Sequence, residues 1–178
     1  AETCNAVFEE NRETQKIIRH EAEHDPLTDL LNRGSFNRIF PICCQGKSPF
    51  ALVLVDIDHF KSINDTCGHT AGDEAIKRIA AQLKSAFRSE DYTFRIGGDE
   101  FAVIMVDVSE ALREPLEERL RLLCDTVAGS STGLSPISIS VGAAFSDRRN
   151  PEGTLFNDAD KALYDVKEHG KASYRIFG

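Results

Sequence analysis

The stretch that most constrains this chain is Phe94-Arg-Ile-Gly-Gly-Asp-Glu-Phe-Ala-Val-Ile-Met-Val106, two apolar runs joined through Gly97-Gly98-Asp99-Glu100. Apolar runs bounded by turn residues read as strands, and a short glycine-containing connection between them reads as a β-hairpin. Glycine is expected at that turn because two-residue hairpin loops need positive φ angles. The turn carries two adjacent carboxylates beside backbone without side chains, a place where a phosphate and a divalent cation can approach. Taken alone, the same four residues make a solvated acidic turn. The rest of the chain decides between the two.

With 178 residues and 41% hydrophobic content, the chain suits one globular domain plus an extension. Its formal charge of -8 argues against a polyanion-binding surface, so no nucleic-acid polymer is expected as a partner. An acidic protein can still hold a nucleoside triphosphate when Mg²⁺ screens the phosphates. The cysteines, Cys4, Cys43, Cys44, Cys67 and Cys124, are odd in number and lack C-x-x-C spacing. This favours a reduced, cytoplasmic compartment over a disulfide framework or a zinc site. The longest apolar run, Phe50 to Val55, is too short to span a bilayer, and no signal peptide is visible, so no membrane contact is expected of this stretch. Starting at Ala1 without Met, the chain is expected to be a fragment. Whether the parent is anchored in a membrane is left open.

Residues 1–24 are polar, with sparse apolar positions at Val7, Phe8, Ile17 and Ile18, and read as an exposed helical stalk. A stalk of this kind can pair with a second copy or fray as a terminal helix. Asp25 to Arg33 is dense in turn and capping residues, with Asn32 as N-cap before a stripe of Phe36, Ile39 and Phe40. Gly46 to Pro49 is a loop. Phe50-Ala-Leu-Val-Leu-Val55 reads as a strand buried on both faces, ending in Asp56-Ile57-Asp58. A carboxylate leaving the core there needs a cation or strong donors.

His59 to Thr70 reads as polar and irregular. From Ala71, Ile76, Ile79, Ala80, Leu83 and Phe87 recur at helical spacing, with Asp73 expected in the first turn. A second stripe, Leu112, Leu116, Leu120, Leu123 and Val127, predicts another helix entered through Glu114-Pro115. Gly129 to Ser135 reads as a flexible loop, Ile137 to Ala143 as an alternating strand, Leu155 to His169 as a helix ended by Gly170, and Tyr174 to Phe177 as a last strand. The fold class is therefore α/β (α+β), a mixed central sheet covered by helices.

Separate segments supply the parts of a nucleotide site: Asp56 at a strand end, Asp99-Glu100 at the hairpin tip, and Lys61, Lys167 and Lys171. Clustered carboxylates suit a hard cation such as Mg²⁺. No G-x-x-x-x-G-K-[ST] loop is present, which excludes a P-loop enzyme, and neither a zinc set nor a Ser or His nucleophile signature is seen.

Arg95-Ile-Gly-Gly-Asp-Glu-Phe101 resembles the signature of the GGDEF domain, the diguanylate cyclase family. The resemblance extends through Asp25-Pro-Leu-Thr-Asp-Leu-Leu-Asn-Arg33, Asp56-Ile-Asp-His-Phe-Lys-Ser-Ile-Asn-Asp65, Gly68-His-Thr-Ala-Gly-Asp73, Ser140-Val-Gly142 and Ala159-Asp-Lys-Ala-Leu-Tyr164. It covers residues 25–178 in order, leaving 1–24 as the linker or stalk. Asp29 departs from the pattern, where the family often has Gly.

The resemblance implies a fold similar to the palm of nucleotidyl cyclases and polymerases. It also implies condensation of two GTP into cyclic di-GMP with release of pyrophosphate, in a homodimer whose paired domains each hold one GTP. By the same carry-over, Asp56, the Ile57 carbonyl, Asp99 and Glu100 resemble the Mg²⁺-binding groups, with Mn²⁺ as a substitute. The metals would lower the pKa of the 3′-hydroxyl and neutralise charge in the transition state. Asp99 also corresponds to the proposed general base, and its metal and base roles stay open. Lys61, Lys167 and Lys171 look like triphosphate contacts, His59-Phe60 like backbone donors, and Gly97-Gly98 lets backbone approach the phosphates. Asn64 and Asp73 resemble guanine readers, and a carboxylate suits the paired N–H donors of guanine. Arg88-Ser-Glu-Asp91 resembles the family's inhibitory R-x-x-D site for cyclic di-GMP. Read without the resemblance, Arg88 and Asp91 form a surface ion pair, Asp73 is a helix-terminal charge, and Lys167 and Lys171 are solvated. A non-catalytic GTP or cyclic di-GMP receptor is the alternative function, and a pure dimerisation module is a third.

Overall fold

The computed structural model of the chain describes residues 2–129 and 137–178. Its centre is β1 (Phe50–Ile57), whose apolar run is buried on both sides. Alternation along a strand sends successive side chains to opposite faces. Ala51, Val53, Val55 and Ile57 accordingly enter one core, while Phe50, Leu52 and Leu54 enter another. The first core is covered by α4 (His69–Ala86) and α5 (Arg113–Gly129), through Ile76, Ile79, Leu83, Leu116, Leu120 and Leu123. The second is covered by α2 (Arg33–Gln45) and α6 (Leu155–Glu168), through Phe36, Leu155, Ala159 and Leu163. Each of the Ile, Leu and Phe side chains among these contributes about 1.5–3 kcal/mol of burial.

β2 (Tyr92–Arg95), β3 (Glu100–Val106), β4 (Ile139–Phe145) and β5 (Tyr174–Ile176) complete a five-stranded sheet of order β2-β3-β1-β4-β5. β1 runs antiparallel to β3 and β4, and β4 pairs parallel with β5, so the sheet is mixed as the sequence predicts. α6 lies close on β4 because residue 142 is glycine: a Cβ there would stand 2.2 Å from the Leu163 nitrogen and 2.4 Å from the Ala159 oxygen. The N-terminal stretch is helical, α1 (Glu2–Glu23). Its last turn is bolted to α2, with the Glu23 carbonyl accepting from Ser35 Oγ at 2.9 Å and Glu23 Oε1 from Arg38 at 3.0 Å. Asn32 caps α2 as expected, accepting from the Ser35 nitrogen at 2.9 Å. Among the described residues, no helix is long and apolar enough to cross a membrane.

Several local expectations are corrected. Phe60–Cys67 is a helix, α3, rather than irregular chain. Its only apolar anchors on the core are Phe60 and Ile63, too few to show a period. Gly68, at φ +86°, ends α3 and begins α4 directly, so Asp73 sits beyond the first turn of α4. Leu112 belongs to a short 3-10 turn, Glu110–Leu112, and is 41% exposed rather than part of the α5 stripe. The hairpin loop is longer than two residues, running from Arg95, paired with Phe101, through the Ile96 and Gly97 nitrogens that donate to the Glu100 carbonyl. Neither Gly97 nor Gly98 adopts positive φ. Of the loop expected over Gly129–Ser135, Gly129 closes α5 and the remainder lies outside the described residues.

Candidate active site

The acidic cluster forms where β1 leaves the sheet beside the β2–β3 hairpin. Pairing sets Asp56 opposite Glu100 on β3, and the next rung carries the Ile57 nitrogen to the Asp99 carbonyl at 3.1 Å. One register therefore aligns Asp56, Ile57, Asp99 and Glu100. Asp56 is 13% exposed, and its Oδ2 holds Lys167 Nζ, projecting from α6, at 2.8 Å. Burial pushes the Asp56 carboxyl above its ordinary 3.8; hydrogen bonding and charge from Lys167 oppose this, and the Asp99 and Glu100 carboxylates add to it. Such a carboxylate needs positive charge, and Lys167 supplies it.

Gly97 is glycine for reasons of space. A Cβ there would lie 2.3 Å from Glu100 Oε2, so the missing side chain lets the Glu100 carboxylate fold back over the loop. Gly98 has nothing within 4 Å of its missing Cβ and stays open to an approaching group. The loop is held by Arg95, which donates to the Gly98 carbonyl at 2.9 Å and to both Asp25 oxygens at 3.1 Å. At Asp25, burial pushes the carboxyl up, but hydrogen bonds from Thr28 and Arg95 and the guanidinium charge outweigh it and hold it below 3.8.

Asp58, two residues past Asp56, was not among the candidates and is 4% exposed. Its oxygens accept from Ser140 Oγ at 2.6 Å, Ser138 Oγ at 2.7 Å and the Ala172 nitrogen at 3.0 Å. Lys171 and Ala172 both have positive φ, at 62° and 50°. Asp58 thus fixes the strained turn that carries Lys171 to the end of β1. The sequence signal is the alternation of Ser138, just before β4, and Ser140 on it, which brings two hydroxyls to Asp58.

His59, with φ 57°, starts α3 at its N-cap, followed by half-buried Phe60 and exposed Lys61. Asn64 on α3 lies over Gly72 of α4, where a Cβ would stand 2.0 Å from its Oδ1. That Oδ1 is buried without a hydrogen-bond partner. This amide oxygen stands against Gly72, the residue before the exposed Asp73, and its hydrogen-bonding capacity is unused by the protein. Gly72 is a further residue missed by sequence reasoning. Arg88 is exposed, whereas Asp91 is 8% exposed and accepts from the Arg88 nitrogen at 3.0 Å and the Val106 nitrogen at 3.3 Å. Asp91 therefore serves the local fold first. An apolar hollow of about 670 Å³ between Phe40, Cys43, Phe50 and Leu155 lies at the opposite end of β1 and receives none of these groups.

Fold and site together define a mixed-sheet α/β domain with an acidic edge fed by lysines. The sequence profile described as "Diguanylate cyclase, GGDEF domain" matches residues 22–173, and the chain belongs to this family. It is 35% identical over 163 residues to diguanylate cyclase DosC of Escherichia coli K12, covering 88% of this chain and 35% of that protein. It is 32% identical over 163 residues to the probable diguanylate cyclase DgcT of the same organism, covering 88% of this chain and 36% of the relative. The chain spans about a third of the length of these curated relatives. Among solved structures, the coiled coil and GGDEF domain of DgcB from Caulobacter crescentus, in complex with c-di-GMP, superposes with a TM-score of 0.84 at 28% identity, over 97% of this chain and 95% of that one.

Proposed function

We propose that this domain is a diguanylate cyclase that condenses two GTP into cyclic di-GMP and pyrophosphate as a pair of domains. The observation that carries the reading is the β1/β3 register that sets Asp56 beside Asp99-Glu100 with Lys167 as the resident cation. The residues fit a divalent ion: the donors are hard oxygens, and Asp56 is a carboxylate pushed up by burial and by its acidic neighbours. Among the described residues, Asp56, Asp99 and Glu100 do not bring one oxygen each within 4.8 Å of one another. Asp56, the Ile57 carbonyl, Asp99 and Glu100 would hold Mg²⁺ or Mn²⁺. When bound, the ion supplies charge neutralisation at the phosphates and acidifies the attacking 3′-hydroxyl.

The chain's own residues do the rest. Lys167 is released from Asp56 to meet the triphosphate, joined by Lys61 and by Lys171 on its pinned turn. The backbone at His59-Phe60 and the open Gly98 admit the phosphates. Asn64 Oδ1 and the Asp73 carboxylate accept from guanine N–H groups; adenine offers no such donor pair, so GTP is selected over ATP. Residues 1–24 act as a stalk that brings two copies of the 25–178 domain together, in the cytoplasm where GTP is found. Arg88, exposed beside Asp91, takes the product's guanine or phosphate and slows the enzyme by feedback.

The test is GTP turnover with Mg²⁺ across protein concentrations, with the product identified by mass. Cyclic di-GMP should form faster than linearly with protein. Glu100→Gln should lower the rate roughly 10²–10³-fold, and Arg88→Ala should relieve inhibition by added product. Nucleotide binding with no product at any concentration would make the domain a receptor instead.

A further inference from the structure

A second cluster of ligating side chains lies away from this edge, where the stalk helix meets the domain. His20 in the last turn of α1, His24 just past the helix end, and Asp29, in the turn that follows, bring one ligand atom each within 4.8 Å of one another. His20 Nε2 is 3.2 Å and His24 Nδ1 3.6 Å from Asp29 Oδ1, and the two imidazoles stack with centroids 4.0 Å apart. His24 Nδ1 also lies 3.0 Å from the Asp29 carbonyl. Lys84 of α4, 3.4 Å from Asp29 Oδ2, steadies the other carboxylate oxygen and leaves Oδ1 to the histidines. Asp29 has φ +57°, the left-handed region that glycine and, among side chains, Asp and Asn adopt.

The geometry points to a divalent transition-metal site formed by His20, His24 and Asp29. Two histidines four residues apart, stacked where the helix ends and joined by a carboxylate, form a set of three protein ligands with a position left for water. Imidazole nitrogen selects Zn²⁺, Ni²⁺, Cu²⁺ or Co²⁺ and rejects Mg²⁺, so the site is chemically distinct from the acidic edge. Binding replaces the proton that His24 Nδ1 shares with the Asp29 carbonyl. His20 and Asp29 are 56% and 63% exposed, so the ion exchanges with solvent. Bound, it ties α1 to the 25–29 turn and fixes the angle at which the stalk leaves the domain.

The probe is Zn²⁺, titrated calorimetrically into the 178-residue chain with excess Mg²⁺ present, and Co²⁺ for its absorption spectrum. One equivalent should bind without thiolate charge-transfer bands, and amide exchange across residues 12–24 should slow. His20→Ala, His24→Ala and Asp29→Gly should each weaken binding about 10–100-fold or more, since even an outer-shell partner is worth that much. Asp29→Gly fits its backbone angle and keeps the fold testable. Asp56→Asn should bind Zn²⁺ as the wild type does. Unchanged affinity in the three ligand variants, thiolate bands with Co²⁺, or loss of binding in Asp56→Asn would each overturn the assignment.

Discussion

Asp56 and Asp58 stand two residues apart where β1 ends, and they meet opposite surroundings. Asp58 is saturated by fixed donors, two serine hydroxyls on or next to β4 and one backbone nitrogen beyond α6. Asp56 faces two further carboxylates and one lysine, the tip of a flexible side chain on α6. Fixed donors make a carboxylate structural, because no ligand can improve on them. A replaceable ammonium makes its neighbour a site, because a metal or a phosphate can take its place. Two acidic residues of one motif thus divide into scaffold and chemistry.

The largest effect should come from the scaffold. Asp58→Ala leaves one buried and two part-buried donors without their acceptor and should lower unfolding free energy by roughly 2–3 kcal/mol, read by urea denaturation. An unchanged midpoint would break the comparison. Asp56→Asn should do the reverse, keeping or raising stability while GTP turnover drops roughly 10²–10³-fold. A destabilised Asp56→Asn would show that its bond to Lys167 is structural after all.

Gly97→Ala sharpens the contrast within the hairpin. Its Cβ would lie 2.3 Å from Glu100 Oε2 and 3.1 Å from Glu100 Cβ, so the Glu100 side chain must shift; stability should fall by about 1 kcal/mol or less while turnover falls roughly 10–10²-fold. Gly98→Ala, with open space around it, should leave the Glu100 carboxylate where it is and cost less.

The smallest effect lies in pH dependence, on the order of 1 kcal/mol or less. The Asp56 pKa is raised on folding, so the folded state binds the extra proton, and stability falls as pH rises from 3.8 through the folded value. Asp25 is lowered on folding; its contribution is complete above 3.8 and is lost as pH falls through the folded value. Denaturation midpoints against pH should show the gain of Asp56→Asn and the loss of Asp25→Asn both shrinking in acid, with opposite signs at neutral pH. Parallel slopes would contradict the assignment of opposite surroundings.

Much of this was legible in the chain. β1, the β2–β3 strands, the α4 stripe, the α6 helix and the Asn32 cap all follow from local periodicity and capping. α3 was not, because a two-turn helix with two core contacts shows no period. The hairpin glycines were placed correctly and explained wrongly: space for Glu100, rather than positive φ, requires Gly97. Asp29 read as a small departure from a pattern; its left-handed φ and its two histidine neighbours came only from the fold.

The sequence by itself determined which elements form and which acids stand at their ends, since strand alternation, helical spacing and capping act over a few residues. Which of those acids are satisfied was decided only by tertiary structure. The donors to Asp58 stand 80, 82 and 114 residues away, and no local pattern encodes a hydrogen bond made across that separation. Asp56 is left to chemistry because folding brings Asp99, Glu100 and a single lysine to it from two distant segments.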